Sequence, residues 1–264
     1  MNEFKKVISA SRRIDMVGTA PHQLAEILAQ KCPPENVHSL VIWTKNPENL
    51  FAVKPLHKIL QQYDQLFFHY TITGLGGSIL EPRVPDPIAA LKWLDKIVAL
   101  AREARRIRFR FDPIVHLKLP DGSLYTNLPW LEKFAPLIQQ AGIADISISW
   151  MSAYRKVVAR LRRAGITINE ISSQRWKDEM DLINEIADRF NFKIYGCCVP
   201  QMPKSKCVDG ILLNQLHPSG EKCSTKKARG QRSNCGCTES WDIGWYFKCA
   251  HGCRYCYANP IEID

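Results

Sequence analysis

Cys249, Cys253 and Cys256 stand in a C-x3-C-x2-C arrangement within the run Cys249-Ala-His-Gly-Cys253-Arg-Tyr-Cys256-Tyr-Ala. Three thiolates at this spacing fit on one tight loop. Each can take one iron of a [4Fe–4S] cluster, which leaves the fourth iron open to a small molecule. The same residues could enter a zinc site, with Cys253 and Cys256 as a C-x2-C pair and Cys249 or His251 joining them. A second group follows the same logic. Cys198, Cys207, Cys235 and Cys237 supply four thiolates, enough for a second [4Fe–4S] cluster or a Zn(Cys)4 site. Thiolate softness suits both metals and does not separate them. Cys197 adjoins Cys198, and neighbours on a strand face opposite ways, so the spacing does not choose between them. Cys32 and Cys223 are left outside both sets.

The cysteines are placed unevenly. Of the ten, only Cys32 precedes residue 197. With no apolar h-region at the N-terminus and no apolar run of roughly 18 residues, neither a signal peptide nor a membrane span is expected. A cytoplasmic location follows, where the reducing thiol pool disfavours disulfides and leaves metal ligation as the better use of so many cysteines. The 264 residues, 45% hydrophobic and 23% charged, can bury a large core. That composition excludes disorder, collagen and coiled coil. A formal net charge of +10 makes an anionic partner reasonable, nucleic acid included.

The elements that must position these thiols read as alternating strands and helices. Strand-like runs rich in Val, Ile, Phe, Tyr and Trp cover 6–10, 39–44, 65–71, 107–111, 145–150 and 192–198. Helix-like stretches cover 21–30, 47–62, 87–105, 128–140, 153–164 and 176–190. Pro47 and Pro87 suit first helical turns, and Gly142 and Gly165 suit C-terminal caps. Six β–α repeats predict an α/β fold with a parallel sheet. No dinucleotide fingerprint or phosphate-binding Gly-rich Lys loop appears, and the Gly74–Gly77 run reads as a flexible turn. The expected architecture is a partial (β/α)6 TIM-like barrel over 1–199, with a cysteine-rich, metal-binding segment over 200–264 lying across the C-terminal rim of the strands. From Pro200 to Lys248 the apolar periodicity stops, and metal ligation would order such a stretch.

Barrel chemistry sits at the C-terminal strand ends. There the sequence places Arg12, Arg13 and Asp15, then Lys45, Thr71 and Thr73, then Arg110 and Asp112, then Trp150 and finally the Cys197–Cys198 pair. Arg12, Arg13 and Lys45 could clamp a carboxylate, ribose hydroxyls or a phosphate, or could simply pair with Asp15 or other acids. Asp112 could orient a ribose or act as a base, or pair with Arg110. Trp43 and Trp150 could stack on a base, or pack in the core. His69 and His116 read as core or loop histidines. Basic residues at 155, 156, 160, 162 and 163, and at 222, 226, 227, 229 and 232, could follow a phosphate backbone or face solvent.

The three-cysteine loop resembles the cluster loop of radical S-adenosylmethionine enzymes, and Tyr255 matches the aromatic residue common before the last cysteine. In longer range the chain resembles the domain of unknown function 1848 family. The resemblance is carried by ISASRRID (8–15), VIWTKNPENL (41–50), YTITGLG (70–76), LEPRVPD (80–86), RFRFDPI (108–114), Gly230-Gln231-Arg232, Cys235-Gly-Cys237, Asp242-Ile243-Gly244 with Tyr246, and CAHGCRYCYAN. These blocks span nearly the whole chain. The family sits near radical S-adenosylmethionine proteins of the spore photoproduct lyase kind, whose cluster loop follows the first barrel strand. Here that loop closes the chain, so the order is permuted.

The resemblance implies an enzyme with a [4Fe–4S] cluster on Cys249, Cys253 and Cys256 that generates a 5′-deoxyadenosyl radical from S-adenosylmethionine. Arg12, Lys45, Asp112 and Tyr255 are then the cofactor-binding candidates, and a flavodoxin- or ferredoxin-type electron donor is the expected partner. The substrate class suggested by charge is nucleic acid or a nucleotide-like metabolite. The alternative is a nucleic-acid-binding protein stabilised by zinc or an iron–sulfur centre, without radical chemistry.

Overall fold

The computed structural model describes residues 4–232, 234–245 and 248–263; Tyr246 lies outside them. Five of the strands are β1 (Lys6–Ala10), β2 (Val37–Thr44), β3 (Leu66–Thr71), β4 (Ile107–Ile114) and, after a small hairpin, β7 (Asp145–Trp150). With β9 (Lys193–Gly196) and β10 (Trp241–Asp242) they make one seven-stranded sheet in the order β10-β1-β2-β3-β4-β7-β9. Every pairing in it is parallel. The α/β expectation therefore holds, with a seventh strand that the sequence reading did not foresee. The hairpin is β5 (His116–Lys118) and β6 (Leu124–Thr126), joined by β8 (Thr167–Ile168) in a separate antiparallel sheet.

Strand side chains alternate between two faces, and the two faces have different partners. Ile8, Leu40, Ile42, Phe68, Tyr70, Phe109, Phe111, Ile146 and Ile148 point to one side and are buried there. They pack under α2 (Pro21–Lys31), α4 (Lys54–Leu60), α6 (Leu94–Ala101), α7 (Pro129–Gln140) and α9 (Ser173–Phe190), which supply Leu24, Leu28, Leu56, Leu60, Leu94, Ile97, Leu131, Phe134, Ile183 and Ile186. Burying a Leu, Ile or Phe side chain is worth about 1.5–3 kcal/mol, so this layer fixes the strand order.

The other face is more polar. It carries Ser9, Ser39, His69, Thr71, Arg108, Arg110, Ser147 and Tyr195, by the register of the pairs. The cysteine-rich segment covers it. Ser205 meets Ser147 at 2.7 Å, Gln65 donates to Leu213 O at 3.0 Å and Arg106 donates to Leu216 O at 2.6 Å. A helix, α10 (Gly210–Leu216), lies in this stretch, capped by Asp209. Its Leu213 and Leu216 pack with Val7, Val41 and Phe67 of the sheet. The segment thus has an apolar core, which corrects the expectation that metal ligation orders a stretch lacking apolar periodicity.

Two long helical stretches break. The 47–62 stretch divides into α3 (Asn49–Ala52) and α4 with Val53 extended between them, and Pro47 lies before the first turn. Pro55 has no N–H to continue the ladder. The 87–105 stretch divides into α5 (Pro87–Leu91) and α6, and stops at Arg102 in the left-handed region, φ 67°. Pro87 does open its helix, behind the Asp86 cap, and Gly142 and Gly165 do follow theirs with φ of 74° and 68°. Gly76 is a site of close approach: a Cβ there would stand 1.9 Å from Pro85 O.

Candidate functional site

The 249–258 loop lies over the C-terminal ends of the parallel strands, held at four points. His251 Nε2 meets Asp15 Oδ2 at 2.8 Å, and its Nδ1 lies 3.3 Å from Arg83 O. The Arg254 amide donates to Leu80 O at 2.9 Å, and its Nε donates to Ile79 O at 2.9 Å. Arg160, buried on α8 (Arg155–Arg163), donates from Nε to Arg254 O at 3.2 Å and from Nη2 to Cys256 O. Tyr255 donates its hydroxyl to Glu81. Beneath the loop, Leu75, Leu80, Val84, Val115, Leu117, Val157, Leu161 and Ile166 form an apolar cluster that includes Cys253 and Tyr255. The small sheet and α8 are therefore the platform of the loop.

Asp15 is the main anchor. Its carboxylate also accepts from the amides of Gly18 and Lys45, each at 2.8 Å. Burial pushes this carboxyl up, but the hydrogen bond and charge of His251 with those two amides outweigh it and leave it below the usual range. His251 moves the opposite way: burial lowers its pKa, and Asp15 raises it to above the ordinary value. His251 is thus committed to Asp15.

Glu81 is the residue the sequence reading missed. It is 1% exposed and accepts from Lys45 Nζ at 2.8 Å, from Thr73 Oγ1 at 2.8 Å and from Tyr255. Its only sequence signal was an acid in the LEPRVPD block. Burial lowers the Lys45 pKa, but Glu81 and the Cys253 thiol raise it to above the ordinary value. Lys45 is therefore a fixed positive charge beside Cys253.

The three thiols of the loop sense one another. Burial raises the pKa of Cys253, followed by the charges of Glu81, Cys256 and Cys249. Burial also raises Cys256, and pushes Cys249 up to about 11. Bare thiols here are protonated at neutral pH, so a metal would have to displace their protons.

A cavity of about 890 Å³ opens beside the loop. It is lined by Arg12, Trp43, Lys45, Arg110, Asp112 and Trp150 from the strand ends, by Tyr255 and Cys256 from the loop, and by Cys197, Cys198, Cys207, Cys235 and Cys237. All four cofactor-binding candidates, Arg12, Lys45, Asp112 and Tyr255, therefore share one cavity. Their pairings differ. Arg12 and Arg13 face Asp242 on β10, with Nε to carboxylate distances of 3.7 and 3.9 Å. Asp112 pairs with Arg110 and accepts from Ser149. Trp43 stacks on His69, centroids 4.6 Å apart, and Trp150 Nε1 donates to Glu179 at 3.3 Å. His69 Nε2 lies 2.5 Å from Cys207 O, and His116 Nε2 lies 3.1 Å from Glu179.

The second cysteine group lines the same cavity. The thiols of Cys197, Cys207, Cys237 and Cys235 act on one another in that order, each shifting its neighbour's pKa. Cys198 stands beside Cys197, with φ 58°. Cys223 lies in the apolar layer under α10, where its sulfur meets Gly210 O at 3.8 Å. Cys32 is buried in the main core.

Among the described residues, no group of three or more His, Cys, Asp or Glu side chains is already gathered to hold a metal ion. A four-iron cluster asks for something else, since its thiolates bind separate irons. The donor set of the loop fits that demand: the buried thiol of Cys253 and the half-buried thiols of Cys249 and Cys256 act on one another beside a half-buried lysine. Among the described residues, no helix is long and apolar enough to cross a membrane.

The chain matches the family described as Domain of unknown function (DUF1848) over residues 12–258, and it belongs to that family. No curated protein matches it. Among solved structures it is similar to SuiB of Streptococcus suis. With SuiB bound to precursor peptide SuiA the TM-score is 0.38 at 11% identity, covering 75% of this chain and 49% of that one. With SuiB bound to S-adenosylmethionine the TM-score is 0.38 at 10% identity, covering 81% and 52%. The chain spans about half the length of these SuiB chains.

Proposed function

We propose that this DUF1848 member is an iron–sulfur enzyme of the radical S-adenosylmethionine type. The observation that carries the reading is one placement. Three thiols, that of Cys253 buried and those of Cys249 and Cys256 half-buried, share a loop pinned across the C-terminal ends of parallel strands, and Cys256 of that loop opens onto the cavity that holds Arg12, Lys45, Asp112 and Tyr255. Cys249, Cys253 and Cys256 would hold the [4Fe–4S] cluster. When bound, the cluster would supply the electron that cleaves S-adenosylmethionine to a 5′-deoxyadenosyl radical, which takes a hydrogen atom from substrate.

The chain's own residues have defined tasks in this reading. Lys45, kept charged by Glu81, favours thiolate over thiol at Cys253. Asp15 and Arg160 hold the loop against the strand ends. Arg12 and Arg110 give the cavity the positive lining that a carboxylate needs, and Trp43 and Trp150 offer faces for an aromatic base. The parallel order β1-β2-β3-β4-β7-β9 supports reading 1–199 as a partial (β/α)6 barrel, with 200–264 as the cysteine-rich unit. A flavodoxin- or ferredoxin-type donor would deliver the electron in a reducing cytoplasm.

Nucleic acid as substrate or ligand has one specific observation in its favour. Exposed Tyr154 and Tyr257 stand 6.3 Å apart, beside Arg155, Lys156 and Arg162 on the outer face of α8. Stacking faces next to cations suit a single strand. Binding without radical chemistry would show as affinity that falls steeply with salt.

The test is anaerobic purification with iron and sulfide analysis, then dithionite reduction with S-adenosylmethionine and an assay for 5′-deoxyadenosine. Iron, sulfide and 5′-deoxyadenosine are expected, with iron reduced and the product lost in Cys253→Ala. A chain that holds zinc and no iron after anaerobic preparation would end this reading and leave the binding protein.

A further inference from the structure

We infer that Cys197, Cys207, Cys235 and Cys237 form a second metal centre, a tetrathiolate site for a thiophilic metal lining the cavity onto which Cys256 opens. Three observations lead there. The first is backbone placement. The Ser205 amide donates to Gly196 O at 3.0 Å, and the Gly196 amide donates to Pro203 O at 2.8 Å. These bonds bring Cys197 next to Cys207. The Thr238 amide donates to Val208 O at 2.9 Å, which brings Cys237 to the other side of Cys207. Between Cys235 and Cys237, Gly236 packs so closely that a Cβ would lie 3.0 Å from Lys206 Cγ. Main-chain bonds thus make neighbours of four cysteines from three chain segments, and a bound metal would have to draw their thiols in from this arrangement.

The second observation is charge. Four thiolates on a divalent ion, or on a cube of the same charge, leave two net negative charges, which a buried site must compensate. Arginines surround this group. Arg110 Nη1 lies 3.2 Å from Cys207 Sγ, and Arg232 Nη2 lies 3.8 Å from Cys197 Sγ. Arg12 acts on Cys235 across the same cavity. Its Nη1 is buried with no hydrogen-bond partner among the described residues, while its Nη2 is bonded to Ser240. A buried guanidinium N–H left without a partner is costly, and it is well placed for an anionic group in that cavity.

The third observation chooses between the adjacent cysteines. Tyr195 is paired with Ser147 on the polar face of the sheet, and Cys197 lies two residues on, so it points to that face with Arg110. At Cys198 the chain turns in the left-handed region, off the strand. Cys197 is therefore the ligand, and Cys198 is the neighbour outside the set.

The site is independent of the 249–256 loop, and the experiment separates them. Iron, sulfide and zinc per chain are measured on anaerobically purified wild type, on Cys207→Ser, Cys235→Ser and Cys198→Ser, and on Cys253→Ala. Cys207→Ser and Cys235→Ser should each lose one centre: about four irons with their sulfides if it is a cluster, or about one zinc if it is a single ion. Cys198→Ser should keep the wild-type content. Cys253→Ala should lose the other centre only. Because Cys207 is buried, Cys235→Ser, on a half-exposed turn, is the decisive variant, with circular dichroism to confirm its fold. A folded Cys235→Ser with wild-type metal content overturns the inference, as does loss of metal in Cys198→Ser. Failure of Cys253→Ala to lose iron bears on the first centre alone.

Discussion

Removing the Glu81 carboxylate should be among the most damaging single changes in the molecule. Glu81 is 1% exposed and accepts from Lys45, Thr73 and Tyr255. In Glu81→Leu the ammonium of Lys45, whose side chain is 16% exposed, loses its counter-charge. Breaking a buried pair from one side costs about 3–5 kcal/mol. A ceiling exists because Lys45 can give up its proton instead. Deprotonating an ordinary lysine at pH 7 costs about 5 kcal/mol. The sign agrees with the raised folded pKa of Lys45: its contribution is complete below the unfolded pKa, and is lost only as pH rises through the folded one.

At a slope of about 3 kcal/mol per molar urea, the unfolding midpoint of Glu81→Leu should fall by about 1–1.7 M at pH 7. The assay is urea unfolding followed by circular dichroism in anaerobic buffer at matched metal content. Lys45→Met in the same chain removes the stranded charge. The double variant should recover about 2–3 kcal/mol of the single loss, because contacting residues are not additive. A single variant within about 1 kcal/mol of wild type would refute the argument. So would a double variant whose loss equals the sum of the singles.

Two further outcomes test the loop and its surroundings. Arg160→Met deletes the two donations to Arg254 O and Cys256 O; it should cost about 1.5–3 kcal/mol and lower the iron retained through anaerobic gel filtration, with unchanged retention counting against the anchoring role. Glu179 has its pKa pushed up by burial, but His116, Trp150 and Arg175 bring it below the ordinary value of 4.5. Its contribution is therefore present above that pKa and lost as pH falls through the folded one. Glu179→Gln should be less stable than wild type by about 1–2 kcal/mol at pH 6, and the gap should close towards pH 3 in urea titrations read by tryptophan fluorescence; a gap that does not change with pH would refute it.

Much of the helix-covered face was legible because strand periodicity and apolar helix faces are local. β1 and β7 have the expected bounds, and the remaining expected strands lie within a few residues of theirs. The rim reading also worked, since strand ends with Arg12, Lys45, Arg110, Asp112 and Trp150 converge on one cavity. What failed was interruption and return. Pro55 splits a helix whose apolar pattern runs on across the break. α10 was hidden among cysteines, lysines and serines, because only seven residues carry its apolar face. The short strand β10 has no pattern of its own and exists through its pairing with Ile8 and Ser9.

The same division holds for the site. Residue types and spacing alone determined that Cys249, Cys253 and Cys256 lie close together, because a short loop keeps near neighbours near in any fold. The pairing of His251 with Asp15, 236 residues away, and of Tyr255 with Glu81, 174 residues away, was decided only by tertiary structure. So was the gathering of Cys197, Cys207, Cys235 and Cys237 around arginines from β4 and from the turn after β1. Contacts of this length depend on how the C-terminal segment runs down the polar face of the sheet and returns to the edge of β1. That path is set by burying Leu213 and Leu216 against Val7, Val41 and Phe67, a sum of small packing terms that no local pattern encodes.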